Sequence, residues 1–488
     1  ICSDNTTGLT LTTDGTSVAA TTYNIVSRTA AAGLTAAASN VAVPANGVAA
    51  GYLSADKFTN TGGTSLTVVY SVVPISGSGC IGAAKSITIT INPEPVISPT
   101  LNATKCSDAA IALTLATNGS SVAAANYNIT SRSIAAGLFA AASNVTVPAN
   151  GVAANYLAAD KYTNTTASAL TVTYVAVPVS AAGCLGDAVT ITMTINPEPV
   201  VATTLDATVC SNQAVGLTLA TSATSVAAVS YNITAITPAA GLTPGATNKP
   251  LANAVSASYL SNDKFTNTGA LPLNVTYTVV PVSGAGCLGD SQIITITIRP
   301  QPVVATTLDA TICSQIPIGL TLSTNGTSVA ATSYNILSRN VAAGLTSAVT
   351  NVAVPASGVA ASYLNNDSFT NTGATAKTVT YEVAGVSAAG CVGATRIITI
   401  TINPEPVLSA TLDKTVCSDL AGGITLNTNG TSVAAATYNI TAKTVAPGLT
   451  VVSAAAIPAT GVAANYLALD TYTNKGAVAL DVQYTVVP

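Results

Sequence analysis

The strongest constraint on this chain is an internal repeat of about 104 residues. The dipeptide Cys-Ser recurs at steps of 104, 104, 103 and 104 residues, and a second cysteine follows 77 or 78 residues after each of the first four. The first cysteines are Cys2, Cys106, Cys210, Cys313 and Cys417, and the second are Cys80, Cys184, Cys287 and Cys391. A unit of this length exceeds a solenoid repeat and suits a domain with its own core. The sequence therefore predicts a tandem array of five domains.

Proline-rich segments mark the boundaries between these repeats. Segments of the form (Asn/Arg)-Pro-(Glu/Gln)-Pro-Val begin at Asn92, Asn196, Arg299 and Asn403. Proline fixes φ and lacks an N–H, so it ends strand pairing, and two prolines in four residues favour a stiff joint. The predicted domains are 1–95, 96–199, 200–302, 303–406 and 407–488, the last of them incomplete. We expect a rod in which each domain spans roughly 35–45 Å.

Each repeat carries the pattern of a β-sandwich. In the second repeat, period-two alternation predicts strands over 111–116, 126–131, 170–177 and 189–195, with further short segments over 96–101 and 137–148. Asn-Gly at 118–119 and Ala-Asn-Gly at 149–151 predict turns, and a single helical turn is expected near 156–160. About seven short strands per repeat predict an all-β chain of immunoglobulin-like antiparallel sandwiches.

The cysteines predict one disulfide inside each complete repeat. Each complete repeat has one pair of cysteines at a fixed spacing. In a chain of extracellular character, this favours bonded cysteines over free buried thiols. The predicted pairs are Cys2–Cys80, Cys106–Cys184, Cys210–Cys287 and Cys313–Cys391. Cys417 is expected to be unpaired by truncation, because its partner would fall near position 495. Two isolated cysteines without a histidine do not make a zinc site.

Composition excludes several classes of function. Charged residues make up 7% of the chain, against roughly 25% in a typical soluble domain, and the net charge of −4 includes no basic cluster. Nucleic acid is therefore not an expected partner. Histidine is absent, which removes a Ser-His-Asp arrangement, and the acidic residues are scattered singly. No apolar run reaches the roughly 20 residues of a membrane span. We predict no enzyme activity, no cofactor and no membrane insertion.

Several recurring side chains are candidate sites with simpler structural interpretations. The recurring aspartates are interpreted as turn caps in preference to calcium ligands: Asp56, Asp160, Asp263, Asp367 and Asp470. The linker glutamates Glu94, Glu198 and Glu405 are interpreted as solvated residues in preference to calcium ligands. Packing in the core or at an edge is expected, in preference to sugar binding, for Tyr70, Tyr174, Tyr277, Tyr381 and Tyr484. Glycosylation sequons occur at, for example, Asn5, Asn128, Asn232 and Asn439.

The repeat resembles a known family. Each unit opens on Cys-Ser and, in most copies, carries Tyr-x-x-Val-Pro, then Gly-Cys-x-Gly, and closes on Ile-Thr-Ile-Asn-Pro-x-Pro or a near variant. The fourth copy departs with Tyr381-Glu-Val-Ala-Gly. These features resemble the PKD-like, Ig-like tandem repeats of giant Bacteroidota cell-surface adhesins, similar to the SprB-type gliding-motility adhesin that the type IX secretion system exports. The resemblance implies secretion, display at the cell surface and a scaffold or adhesive role.

The expected function is a stiff, disulfide-stapled stalk of a very large extracellular adhesin or filament, serving surface adhesion and gliding motility. The expected partners are a surface polysaccharide or abiotic surface, the outer-membrane secretion or motility machinery through regions outside these residues, and other copies in a fibre. Two alternatives remain open at this stage. One is an array of glycan-binding modules in which repetition supplies avidity. The other is an accessory region of a secreted enzyme.

Overall fold

The computed structural model describes residues 1–488, which form 32 β-strands and no helix. The all-β prediction is confirmed. The strands of the first repeat are β1 (Ala20–Ala30), β2 (Thr35–Ala36), β3 (Ala45–Val48), β4 (Phe58–Thr59), β5 (Leu66–Ser76) and β6 (Lys85–Ile91). Those of the second are β7 (Ala103–Cys106), β8 (Ala124–Ile134), β9 (Phe139–Ala140), β10 (Ala149–Val152), β11 (Tyr162–Thr163), β12 (Leu170–Ser180) and β13 (Val189–Asn196).

The remaining repeats follow the same order. The third has β14 (Ala207–Cys210), β15 (Ala228–Pro238), β16 (Leu242–Pro244), β17 (Ala252–Val255), β18 (Phe265–Asn267), β19 (Leu273–Ser283) and β20 (Gln292–Arg299). The fourth has β21 (Ala310–Cys313), β22 (Ala331–Val341), β23 (Thr346–Ser347), β24 (Ala356–Val359), β25 (Phe369–Thr370), β26 (Lys377–Ser387) and β27 (Arg396–Asn403). The fifth has β28 (Tyr438–Val445), β29 (Leu449–Ser453), β30 (Ala459–Val462), β31 (Thr471–Asn474) and β32 (Val482–Val487).

One large sheet dominates each repeat. In the second repeat its strand order is β10-β8-β12-β13-β7, and the third and fourth repeats share this order. All pairings are antiparallel except the last, in which β7 runs parallel to β13 and Cys106 lies opposite Asn196. The first repeat has four strands in this sheet and an isolated parallel bridge from Cys2 to Asn92. The first cysteine of a repeat therefore lies beside the end of that repeat's last strand.

The second layer of each sandwich is less regular than the sequence predicts. It contains the two-stranded pair β9–β11 and the extended segment 111–115, in which Ile111, Leu113 and Leu115 are buried. The predicted strand over 111–116 is wrong, because the N–H groups of Ile111 and Leu115 donate to the carbonyls of Asp160 and Ala154 in a turn, not to a ladder. The predicted turn at 149–151 is also wrong, since Ala149–Val152 forms strand β10.

The core of each repeat is a separate cluster, and each cluster draws its members from one of the predicted domain ranges. The four recurring tyrosines Tyr70, Tyr174, Tyr277 and Tyr381 are fully buried, so the core interpretation is confirmed for them. Tyr484 is half-buried, in a repeat whose main sheet has three strands, β30-β28-β32. The structure has no helix long and apolar enough to cross a membrane.

Candidate functional site: the repeat junctions

Three disulfides join neighbouring repeats. The bonds are Cys2–Cys184, Cys106–Cys287 and Cys210–Cys391, with Cα–Cα distances of 5.2, 5.3 and 5.3 Å. The predicted pairing within each repeat (Cys2–Cys80, Cys106–Cys184, Cys210–Cys287 and Cys313–Cys391) is therefore wrong. Cys80, Cys313 and Cys417 are free and exposed.

The sheet topology explains why the two cysteines of one repeat cannot pair. Cys106 lies beside Asn196 at the end of β13, which we call the C-terminal pole of the repeat. Cys184 lies in the turn between β12 and β13, at the opposite end, the N-terminal pole. The eight residues of β13 alone separate the poles by at least about 26 Å. A disulfide tolerates a Cα–Cα distance of only about 7 Å, so each cysteine finds its partner across the junction.

The hairpin that carries the second cysteine rests on the linker. The N–H of Gly186 donates to the carbonyl of Pro178 at 2.9 Å, which closes the turn after Cys184. A Cβ at Gly186 would lie 1.9 Å from the carbonyl oxygen of Pro95 in the linker. A Cβ at Gly289 or Gly393 would lie equally close to the carbonyl oxygen of Pro199 or Pro302, at 1.8 and 1.9 Å. The recurring Gly-Cys-x-Gly motif is therefore a junction contact as well as a turn.

Replacing Gly186 with alanine should loosen the first junction. The added methyl cannot fit between hairpin and linker, and overpacking of this kind costs about 1–3 kcal/mol. Cys184 would move with the hairpin, so we expect a larger fraction of free thiol at Cys2 and Cys184, measured by alkylation and peptide mass spectrometry. Gly82→Ala is the matched control, because a Cβ at Gly82 would meet only Pro74 in its own hairpin, at 2.8 Å from the ring. Equal thiol exposure in wild type and Gly186→Ala would contradict the contact.

Backbone hydrogen bonds hold the linker against both repeats. The N–H of Glu94 donates to the carbonyl of Asn60 in the first repeat at 2.9 Å, and the N–H of Val96 donates to Ser121 Oγ in the second at 3.0 Å. The N–H of Val122 donates directly across the junction to the carbonyl of Gly62 at 2.9 Å. The last of these recurs at the other junctions from Val226 to Thr166, from Val329 to Gly269 and from Val433 to Gly373. The linker is a fixed element at every junction.

A serine and an asparagine that the sequence analysis did not single out organise the C-terminal pole. Asn60 is fully buried, and its Nδ2 donates to the carbonyl of Ile91 at 2.9 Å. Its own N–H donates to Ser3 Oγ at 2.8 Å. Both residues recur: the serine follows each first cysteine, and the asparagine ends a segment Tyr-Leu-x-x-Asp-x-(Phe/Tyr)-Thr-Asn that is present in every repeat, as at 52–60. Their recurrence is the sequence signal by which these two residues could have been found. They lie at the face of the C-terminal pole against which the linker packs.

The linker glutamates Glu94 and Glu198 are not solvated, contrary to the prediction, whereas Glu405 is partly exposed. Glu94 and Glu198 are each 4% exposed. Burial and the nearby carboxylates of Asp4 and Asp187 raise the pKa of Glu94 to about 7. Glu198 has the same environment, in which burial and the carboxylates of Asp108 and Asp290 raise its pKa to about 7. The hairpin of the following repeat covers these groups, which a local pattern around two prolines does not reveal.

The later junctions replace this acidic trio. At the third, Asn212 Nδ2 donates to Gln301 Oε1 at 3.2 Å, and Ala394 stands where the first two junctions have Asp187 and Asp290. At the fourth, Gln315 Nε2 donates to both carboxylate oxygens of Glu405, at 2.9 and 2.7 Å. Across the described chain, no group of three or more His, Cys, Asp or Glu side chains is arranged to hold a metal ion.

The acidic junctions should make stability fall as pH rises. A carboxyl with a pKa of 4.5 unfolded and about 7 folded favours folding fully below pH 4.5, and this contribution is lost as pH rises to about 7. The double variant Glu94→Gln, Glu198→Gln should therefore melt higher than wild type at pH 8 and equally at pH 4.5. Glu405→Gln is the control and should show no gain at pH 8, because Gln315 already binds that carboxylate. The measurement is thermal unfolding by calorimetry. A difference in melting temperature between variant and wild type that is the same at both pH values would refute the raised pKa of Glu94 and Glu198.

The recurring aspartates are buried acceptors, not turn caps as predicted. Asp160 is fully buried; its Oδ1 accepts from the N–H of Val145 at 2.9 Å, and its Oδ2 accepts from Tyr174 Oη at 2.8 Å and Arg132 Nη1 at 3.4 Å. The same set forms around Asp56 and Asp367. Burial, with Tyr162 and Asp160 nearby, raises the pKa of Tyr174, so this hydroxyl remains a neutral donor. These aspartates tie the two layers of a sandwich together.

The third repeat lacks the arginine of this set. Ile236 stands at the position of Arg132, and burial raises the pKa of Asp263 despite the nearby Lys249. Lys249 Nζ lies 5.8 Å from the centroid of the Tyr259 ring. A cation from the loop between β16 and β17 thus replaces the arginine only in part.

The arrangement defines a class of protein, an array of β-sandwich domains that disulfides link in series. The PKD-like domain family matches residues 1–95, 103–199, 207–302 and 310–406. Because these ranges cover well over half of the chain, it belongs to the PKD-like domain family. Such repeat domains are typically non-catalytic structural modules, and together with the disulfides they indicate an extracellular location.

Among curated proteins, none matches this chain. Among solved structures, protocadherin gammaB7 EC3-6 is 12% identical with a TM-score of 0.20, over 83% of this chain and 97% of its own. Drosophila N-cadherin EC1-4 is 11% identical with a TM-score of 0.18, over 83% and 96%. SGBP-B of the Bacteroides ovatus mixed-linkage glucan utilization locus, solved with a mixed-linkage heptasaccharide, is 12% identical with a TM-score of 0.13, over 81% of this chain and 92% of its own. Values this low support no conclusion about function.

Proposed function

We propose that this chain is a stalk region of a large cell-surface adhesin, where its repeats carry an adhesive part away from the cell. The observation that carries the proposal is the disulfide across each of the first three junctions. A protein that only displayed independent modules would gain nothing from covalent bonds between them. A stalk gains a fixed spacing and resistance to bending at every joint.

The site chemistry favours this function over glycan binding. Sugar-binding surfaces commonly use exposed aromatic rings. Here Phe139, which is 65% exposed, is the one exposed aromatic side chain among the 17 tyrosines and four phenylalanines. An array of glycan sites would need such a ring in most repeats. The expected partners of the stalk are therefore bound elsewhere in the protein: a polysaccharide or abiotic surface at the tip, and the secretion or gliding machinery at the base.

The test is to coat beads with antibodies against one repeat and track them on living cells of the source organism. Beads that travel along the cell body support a mobile gliding adhesin, whereas bound but stationary beads support a static stalk or fibre. Beads that fail to bind, while the medium contains the protein, would overturn display at the cell surface.

A further inference from the structure

The three disulfides overlap along the chain. The bond from Cys2 to Cys184 encloses most of two repeats, and the next bond begins at Cys106, inside that loop. The bond from Cys210 to Cys391 begins inside the loop of the second. Each junction that they cross therefore has two covalent connections, the linker backbone and a disulfide.

This overlap creates a short covalent path through the array. From Cys2 the path crosses to Cys184, follows the backbone for 26 residues to Cys210, and crosses to Cys391. Tension applied at the two ends follows this path, because it is the first to become taut. Residues 3–183 and 211–390 lie outside it and carry none of the load once it is taut.

The backbone of this path is already extended in the folded protein. It contains β13, the linker with Pro197 and Pro199, and β14, which runs parallel to the last strand of its own repeat. It therefore leads from the N-terminal pole of the second repeat to the C-terminal pole of the third. Fully stretched, 26 residues reach about 86–94 Å. Two sandwiches built on 11-residue strands already span roughly 70–90 Å.

The slack in this path is small beside what unfolding would release. Without the disulfides, the 389 residues from Cys2 to Cys391 would stretch to roughly 1,300–1,400 Å. With them, the same two points cannot separate by more than about 100 Å, which includes two bridges of about 5 Å each. The connectivity therefore limits extension by more than tenfold.

We propose that the junction disulfides make this array a tension-bearing tether whose length does not increase by unfolding of its repeats. The setting in which the tension arises rests on the proposed function, but the mechanical property belongs to the chain itself. A string of sandwiches joined only by linkers would lengthen stepwise under load. This array keeps its length. The strands within residues 3–183 and 211–390 stay folded, while β13, the linker after it and β14 transmit the force.

The test is to pull the full chain from its two ends with optical tweezers. The fifth repeat is an internal control, because no disulfide encloses residues 407–488. In the oxidised chain we expect one large unfolding step of roughly 230–260 Å from this repeat alone, which is the stretched length of its residues less the roughly 35–45 Å that the folded repeat already spans. With a phosphine reductant present, we expect steps from all five repeats and a total extension several times larger. Steps from the first four repeats in the oxidised chain would overturn the proposal.

Single substitutions sharpen this test. Cys184→Ser removes the first bridge and should lengthen the taut oxidised chain by up to roughly 510–560 Å, because the shortest path then runs through Cys106–Cys287 and back to Cys210 and follows about 155 more residues. Cys80→Ser changes the equivalent cysteine of the first repeat, which is free, and should leave the extension unchanged. An unchanged extension in Cys184→Ser would also count against the proposal. None of these results depends on where the protein is displayed, so a failure of the bead experiment leaves them intact.

Discussion

Replacing Asp160 with alanine is expected to destabilise the second repeat by about 3–5 kcal/mol, the cost of breaking a buried ion pair by removing one partner. The substitution leaves the N–H of Val145 without an acceptor and the Arg132 guanidinium without a counterion, and it removes the carboxylate that accepts from the Tyr174 hydroxyl. For a domain of about 100 residues, this loss lowers the melting temperature by at least about 12 °C. Because a typical domain has only about 5–15 kcal/mol of stability, the effect is a large share of the total.

Hydrogen exchange with mass spectrometry can locate this loss within the full chain, since peptides from 96–199 should lose protection and those from 303–406 should keep it. The matched pair is Asp160→Asn and Asp263→Asn. The first leaves Arg132 with no opposite charge, whereas the second removes a carboxylate that burial already disfavours and that has no arginine. We expect a clear loss of protection for Asp160→Asn and little change for Asp263→Asn. Equal effects would contradict the role of the arginine.

The sequence predicts the repeat, the class of fold and the buried tyrosines, because each depends on a pattern within one repeat. Period-two alternation over 170–177 corresponds to β12, and Tyr174 lies on its buried face. The segment 111–116 has the same alternation but forms no ladder, because a turn from the same repeat satisfies its N–H groups. Alternation reports which side chains are buried, not which backbone partner each residue finds.

The disulfide pairing could not be predicted from spacing. In a periodic chain, a separation of 77 or 78 residues within a repeat and one of 181 or 182 residues to the next repeat are equally regular. The choice depends on the poles at which the two cysteines lie, and thus on the parallel pairing of β7 with β13. The burial of Glu94 depends on the same topology, because the hairpin of the following repeat reaches back over the linker.

Replacing Cys184 with serine should destabilise the first two repeats by about 5 kcal/mol, the chain-entropy value for a loop of 182 residues. Because the loop covers nearly two repeats, we expect their melting temperature to fall by roughly 10–20 °C. The later repeats keep Cys210–Cys391 and should melt as in wild type. In calorimetry of the full chain, we therefore expect a single transition in the oxidised wild type. In Cys184→Ser we expect this transition to divide into one at lower and one at higher temperature.

Cys80→Ser provides the control, because it makes the same change at the same position of a hairpin whose cysteine is free. It should leave the calorimetric trace unchanged. The within-repeat pairing makes the opposite prediction, since it joins Cys2 to Cys80 and makes both substitutions costly. Peptide mapping of the oxidised wild type under non-reducing conditions decides the connectivity directly. A peptide of Cys2 linked to one of Cys184 supports the junction bond, and a link from Cys2 to Cys80 would overturn both the bond and the tether built on it.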